Sequence, residues 1–244
     1  MNVPILLICG CQKYKEELLR AIKRFEHSSY RTIGIIGDPS VPTHFNGVYL
    51  SLEVEDTYEA LPMKIQTAFA WIYANYPNTA GIFKTDDDIY FDNIDTVVQQ
   101  IRTHQSIPYW GHRLVVAEAG PYRQVDYKRY SNGVRPIKEA ARYCGGNGYW
   151  ISNLMIPTII NSSRFTYGAE DYIMGTILNN AGHEPVHFPL KFNQYRQKCW
   201  RKDCTYKIHS NSNNNNGLYC CRACQLGGGH GPACEKATAG GFRL

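Results

Sequence analysis

Residues 84–91 read KTDDDIYF, and three consecutive carboxylates, Asp86, Asp87 and Asp88, stand between the apolar runs 81–83 and 89–91. Neighbouring like charges are unfavourable unless water or a cation relieves them. In extended conformation Asp86 and Asp88 point to one side and Asp87 to the other, so two carboxylates converge on one small region. Oxygen ligands of this kind suit Mg²⁺ or Mn²⁺ when a ligand's phosphates complete the shell. A cation there neutralises a diphosphate and makes it a better leaving group, as an enzyme drawing on a nucleotide diphosphate requires. An Asp-rich surface turn, relieved by water alone, is the competing reading.

A transfer of this kind also needs a base for the proton of the attacking hydroxyl. Glu170-Asp171 is the best pair for it, because it opens a helix whose dipole and free N–H groups favour an ionised carboxylate. Acids are also favoured in any first helical turn, so the pair alone does not decide. Gly145 and Gly146, in the run GGNG, let backbone approach a ligand closely or simply make a turn. The histidines form no ligand-spaced cluster, and neither a nucleophile elbow nor G-x-G-x-x-G is present.

The elements that must position these groups alternate through the first half. Strands are predicted over 3–9, 32–36, 47–52 and 81–84, and helices over 14–25, 58–76 and 93–102. Leu61, Ile65, Ala68, Phe69 and Ile72 line one face of the long helix, and Asn93 or Asp92 caps the third. This βα rhythm implies an α/β fold with a parallel sheet, and ligands at the carboxyl ends of its strands. The aspartates stand at such an end. Residues 109–111 begin an edge strand, 123–135 are aromatic and basic without an assignable element, and 154–160 start a helix despite Pro157. Residues 170–180 form a helix with Ile173, Ile177 and Leu178 inward and Gly182 just past its end.

The 244 residues, 43% hydrophobic and 19% charged, suffice for one large domain with a small appendage. A net charge of +5 is too small to argue for a nucleic-acid partner. Lys191, Arg196, Lys198, Arg201, Lys202 and Lys207 against Asp203 make 191–209 a basic stretch, read first as a solvated face. Cys199, Cys204, Cys220, Cys221, Cys224 and Cys234 crowd the tail, with His209 and His230 near them. Their spacing fits no standard zinc module, so Zn²⁺, disulfides and free thiols all stay open. No stretch is long enough to span a bilayer, and 3–9 lacks the leader and cleavage site of a signal peptide. A soluble, cytoplasmic protein is expected, with a Golgi-type lumen the alternative for a piece of a longer chain. Nothing sets the oligomeric state.

Four stretches together resemble the metal-dependent inverting glycosyltransferases of the β-1,3-galactosyltransferase, β-1,3-N-acetylglucosaminyltransferase and Fringe family. DTYEALPMK at 56–64 is similar to its D-x-Y-x-N-L-T-x-K, with Trp71 following; FKTDDDIYF at 83–91 is close to lKtDDDvfv; CGGNGYWIS at 144–152 is like sGggYvlS; EDYIMG at 170–175 is like EDVyvG. The order is the family's. The resemblance implies a GT-A fold over 1–192, a UDP-sugar donor, a Mn²⁺-like ion, inversion to a β-linkage, and a glycan or glycoprotein acceptor. By motif position Asp88, with Asp86, would hold the metal, and Asp86 and Asp87 would contact the ribose or the metal's waters. Asp171 would be the base with Glu170 beside it, Lys64 would face the diphosphate, and Gly145 and Gly146 would line the sugar or acceptor pocket. The sequence departs from the family at Ala60 and Pro62, and in lacking an R-x-x-I-R-x-T-W motif. The family's second metal ligand, a histidine beyond a Phe, has no counterpart after Phe192, which leaves His187, Asn193, His209 or none. A catalytically inactive sugar-nucleotide or glycan-binding module of the same fold is the alternative, and 193–244 lies outside the resemblance.

Overall fold

The computed structural model describes residues 3–26, 29–118, 139–164 and 169–194. By its internal contacts the chain divides into two units, Met1–Asn193 and Gln194–Leu244, and the description concerns the first together with the last strand that straddles the division. In chain order the elements are β1 (Ile5–Cys9), α1 (Lys15–Phe25), β2 (Arg31–Gly37), β3 (His44–Phe45), β4 (Tyr49–Leu52), α2 (Leu61–Asn75), β5 (Gly81–Asp86), β6 (Ile89–Phe91) and α3 (Ile94–His104). There follow β7 (Tyr109–Gly111), β8 (Leu114–Ala117), β9 (Ala141–Cys144), β10 (Tyr149–Ser152), α4 (Ile156–Ile160), α5 (Glu170–Asn180), β11 (Val186–His187) and β12 (Phe192–Gln194).

Among the described residues the main sheet has the order β11-β7-β10-β5-β1-β2-β4-β3. β1 runs parallel to β2 and β5, and β2 parallel to β4. β10 is antiparallel to both β5 and β7, and β3 to β4. The sheet is therefore mostly parallel, as the βα rhythm implies. Side chains alternate along β1 and feed a core on each face. Ile5, Leu7 and Cys9 pack with Ile65, Phe69 and Ile72 of α2 and Ile173, Met174 and Ile177 of α5. Leu6 and Ile8 pack on the other side with Leu18 and Phe25 of α1 and Val97 and Ile101 of α3.

Chain direction out of β1 decides where a ligand can enter. β1 leads through α1 to β2 on one side, whereas β5 lies on its other side, with Cys9 opposite Asp86. The carboxyl ends of β1 and β5 thus flank the point where strand order reverses, the usual binding crevice of an open α/β sheet.

Two readings change. Residues 109–111 form an interior strand, because β11 pairs outside them. The three aspartates are not one extended run: β5 stops at Asp86, and Asp87 and Asp88 form the turn into β6. Alternation along a strand therefore does not govern where these carboxylates point. Asn93, of the two capping alternatives, accepts from the backbone N–H of Asp95 and Thr96 and caps α3. The segment 123–135 lies outside the described residues. Among those described, no helix is long and apolar enough to cross a membrane.

Candidate active site

The carboxylate turn is fixed from three sides. The Asp87 N–H donates to Cys9 O at 3.0 Å, which locks the turn to the end of β1. Arg24 of α1 donates through Nη2 to Asp87 O and Ile89 O, 3.2 Å each. Its guanidinium also lies 3.7 Å from the centre of the Tyr90 ring. A Cβ at Gly10 would stand 3.0 Å from Asp87 Oδ2, so the β1 end leaves that carboxylate room only because residue 10 is glycine. Burial, then the charges of Asp88 and Asp86, push the Asp87 pKa up to about 7.

Lys64 and Asp56 form a second buried pair beside the crevice. Lys64 Nζ donates to Asp56 Oδ1 and to Gly10 O, both at 2.7 Å. Burial works against the ammonium, but Cys9 and the Asp56 carboxylate outweigh it and raise its pKa. Asp56 also accepts from the N–H groups of Gly37, at 3.0 Å, and Gln12. The structure thus places Lys64 where it ties the loops after β1 and β4 to the start of α2, with Asp56 reaching on to the end of β2.

Behind the turn lies an ammonium that is 1% exposed, Lys84 in the middle of β5. It donates to Asp86 Oδ1 at 2.7 Å, Glu170 Oε2 at 3.2 Å and Gly146 O at 3.4 Å. Burial disfavours its charge, but Asp86 and Glu170 outweigh burial and hold its pKa well above the usual lysine value. The other Glu170 oxygen, Oε1, accepts from the buried Tyr149 hydroxyl. Both Glu170 oxygens are therefore turned inward and occupied.

Asp171 is less buried than Glu170 and has different partners. Its Oδ1 accepts from the Tyr172 N–H at 2.9 Å and its Oδ2 from the Gly146 N–H at 3.3 Å. It is half-buried, and the enclosing walls, followed by the Glu170 charge, push its pKa up to about 6. Desolvation here outweighs the helix N-terminus expected to hold it ionised. The result is a carboxylate that changes protonation near neutrality, the property of a general base. Gly146 joins the two halves of the site: a Cβ there would lie 3.2 Å from Asp86 Oδ2 and 3.5 Å from Lys84 Nζ. Gly145 donates to Arg113 O at 2.8 Å, and Thr85 Oγ1 donates to Asn147 O at 2.8 Å, so the glycine turn is held on both flanks.

The oxygen donors available to a divalent cation are Asp88 and the Asp86 oxygen that Lys84 does not take. Asp86 and Asp88 are partly exposed, and Asp87 is raised first by burial and then by these two neighbouring charges. Among the described residues no group of three or more His, Cys, Asp or Glu side chains is placed to hold a metal ion. An ion held here completes its shell from water and phosphate oxygens, the usual habit of Mg²⁺. Of the alternatives for a further ligand, His187 lies 6.3 Å, ring to ring, from His112. Asn193 lies in β12, which pairs with β6 directly after the aspartates. His209, His230 and the six tail cysteines lie outside the described residues.

Sequence comparison identifies the family. Residues 47–189, more than half of the chain, match the Galactosyltransferase family model. The chain belongs to the galactosyltransferase family. All four motifs lie inside the matched span, and family membership and strand order together make the fold one of GT-A type. A UDP-GalNAc:β-1,3-N-acetylgalactosaminyltransferase 1 of Rattus norvegicus is 31% identical over 148 residues, covering 57% of this chain and 43% of the relative. The Homo sapiens protein of the same name is 29% identical over 135 residues, covering 51% and 38%. The chain thus matches less than half the length of these curated relatives. Among solved structures, the catalytic domain of Drosophila β-1,4-galactosyltransferase 7 with xylobiose aligns with a TM-score of 0.43 and 13% identity, covering 86% of this chain and 77% of that one.

The sequence reading assigned no role to Lys84, Tyr149 or Arg24. Lys84 carried a signal, a charge inside the otherwise uncharged run 81–85. Such a charge is rarely buried without partners. Tyr149 and Arg24 carried none, since their partners are distant in sequence.

Proposed function

We propose that 1–192 form the catalytic domain of a metal-dependent inverting glycosyltransferase, with 193–244 as a cysteine-rich extension. It moves a hexose or N-acetylhexosamine from a UDP-sugar to a hydroxyl of a glycan or glycoconjugate, and the linkage formed is β, with β-1,3 favoured. The observation that carries this reading is the division of labour in the acidic pair. Glu170 is bound inward by Lys84 and Tyr149, whereas Asp171, poised at about 6 and partly exposed, is held through the Gly146 N–H to the turn that also meets Lys84 beside Asp86.

In this mechanism Asp171 takes the proton of the acceptor hydroxyl. The oxygen forms its bond to the anomeric carbon as the bond from that carbon to the diphosphate oxygen breaks, and the electron pair leaves with UDP. Attack opposite the leaving group inverts the centre. Asp88 and Asp86 would hold Mn²⁺ or Mg²⁺, whose charge stabilises the departing diphosphate. The Gly146 N–H keeps Asp171 oriented, and Lys64 holds the loops that border the donor side.

The test is UDP release with Mn²⁺, a panel of UDP-sugars and aryl glycoside acceptors. The names of the relatives put UDP-GalNAc first in the panel. Release that depends on both donor and acceptor is expected. No release with any donor, together with no UDP binding by calorimetry, would sink the proposal.

A further inference from the structure

Lys84 saturates its three N–H bonds on three different elements. Asp86 is the end of β5, Glu170 opens α5, and Gly146 lies in the turn between β9 and β10. Each acceptor is tied to one part of the site. Asp86 belongs to the carboxylate turn, Glu170 precedes Asp171, and the Gly146 N–H bonds Asp171 Oδ2 at 3.3 Å. Tyr149, on β10 opposite Lys84 in register, closes the arrangement through Glu170. Burying an ion pair this completely is not explained by stability, since an apolar pair of the same volume commonly does as well. What the ammonium provides is geometry. Without it, the buried Glu170 and the partly exposed Asp86 would face each other as like charges and move apart.

We propose that Lys84 is a positioning residue that fixes the donor-side carboxylate Asp86 and the base Asp171 in one frame, so that donor and acceptor meet at reacting distance. The inference rests on the function proposed above. Lys84 touches neither reacting atom; it acts through Glu170, Gly146 and Asp86. Misplacement by about an ångström costs on the order of 100-fold in rate.

Charge and position can be separated by two variants. Asp171 faces Glu170, Lys84 and Asp86 among charged groups, and of these only Lys84 favours its ionised form. Lys84→Met should lower kcat about 100-fold and move the acid limb of the pH profile upward, since Asp171 then stays protonated to higher pH. Lys84→Met with Glu170→Gln removes both members of the buried pair and leaves only the partly exposed Asp86 without its ammonium; thermal melting checks that it folds. In this double variant the acid limb should return toward the wild-type position while kcat stays about 100-fold down. If the single variant does not fold, the double variant carries the test.

Wild-type kcat in the folded double variant would overturn the inference and reduce Lys84 to a partner for Glu170. The crystal structure of the double variant reads the same point without turnover. Asp86 and α5 displaced from their wild-type spacing supports the inference, and an unchanged spacing overturns it. A wild-type protein that transfers nothing is a different result: it removes the proposed function, and the crystallographic comparison still judges the tie.

Discussion

Asp171 and its neighbour Glu170 have the same chemistry and opposite surroundings. Glu170 has both oxygens satisfied inside the protein, while Asp171 stays partly exposed with a pKa of about 6. Asp171→Asn should therefore lower turnover by about 10²–10⁴-fold, the range for a lost general base. UDP–Mn²⁺ binding measured by calorimetry should persist. Asp88→Ala should lose both activity and metal-dependent UDP binding. An active Asp171→Asn enzyme would make the base assignment wrong. The pH profile follows from the sign of the shift. Asp171 is protonated and inert below its pKa, so kcat should rise with pH through about 6 and level off above it. Sequence singled these residues out as candidates, because four motifs keep the family's order. It did not make their orientations legible. Alternation presumed a strand through Asp88, but the chain turns after Asp86, where the Asp87 N–H finds Cys9 O and Arg24 ties down the turn.

At the scale of elements, α5 carries the proposed base, and its seat is narrow. A Cβ at Gly175 would lie 2.3 Å from Tyr143 Cβ and 2.8 Å from Arg142 O, both on β9. Gly175→Ala should push α5 off β9 and cost about 1–3 kcal/mol of stability, the usual range for overpacking. Activity should fall further than stability does, because the shift is transmitted to Asp171 four residues earlier. Denaturant midpoints and kcat on the same preparation would check this, and an unchanged midpoint would show that β9 yields. The same helix was legible from sequence over 170–180, since acids open it and Gly182, at φ +84°, ends it. The long helix α2 and strands β1, β2 and β5 were legible for the same reason: each has enough residues to show a period. Strands β3, β6, β11 and β12, of two or three residues, have no period to read and are defined only by partners remote in the chain.

The whole domain places its ionisable groups where the sheet's two cores part. α1 reaches the carboxylate turn from one face through Arg24, and α5 brings Asp171 from the other. The protein holds Asp87 at about 7 and Asp171 at about 6, both above the usual carboxylate value of 3.8. Raised carboxyl pKa values favour the folded state at acid pH, fully below about 4, and that contribution is lost as pH rises through the folded values. The free domain should accordingly melt at lower temperature at pH 8 than at pH 5 as far as these two groups act. A divalent cation reverses the sign locally, because it favours ionised carboxylates. Mn²⁺ with UDP should therefore raise Tm more at pH 8 than at pH 5, and by more than either ligand alone. At 100 times the Kd a single bound ligand contributes about 2.7 kcal/mol. Differential scanning calorimetry at the two pH values, with and without Mn²⁺ and UDP, measures it. A Tm gain that is equal at both pH values would place the ion away from the carboxylate turn.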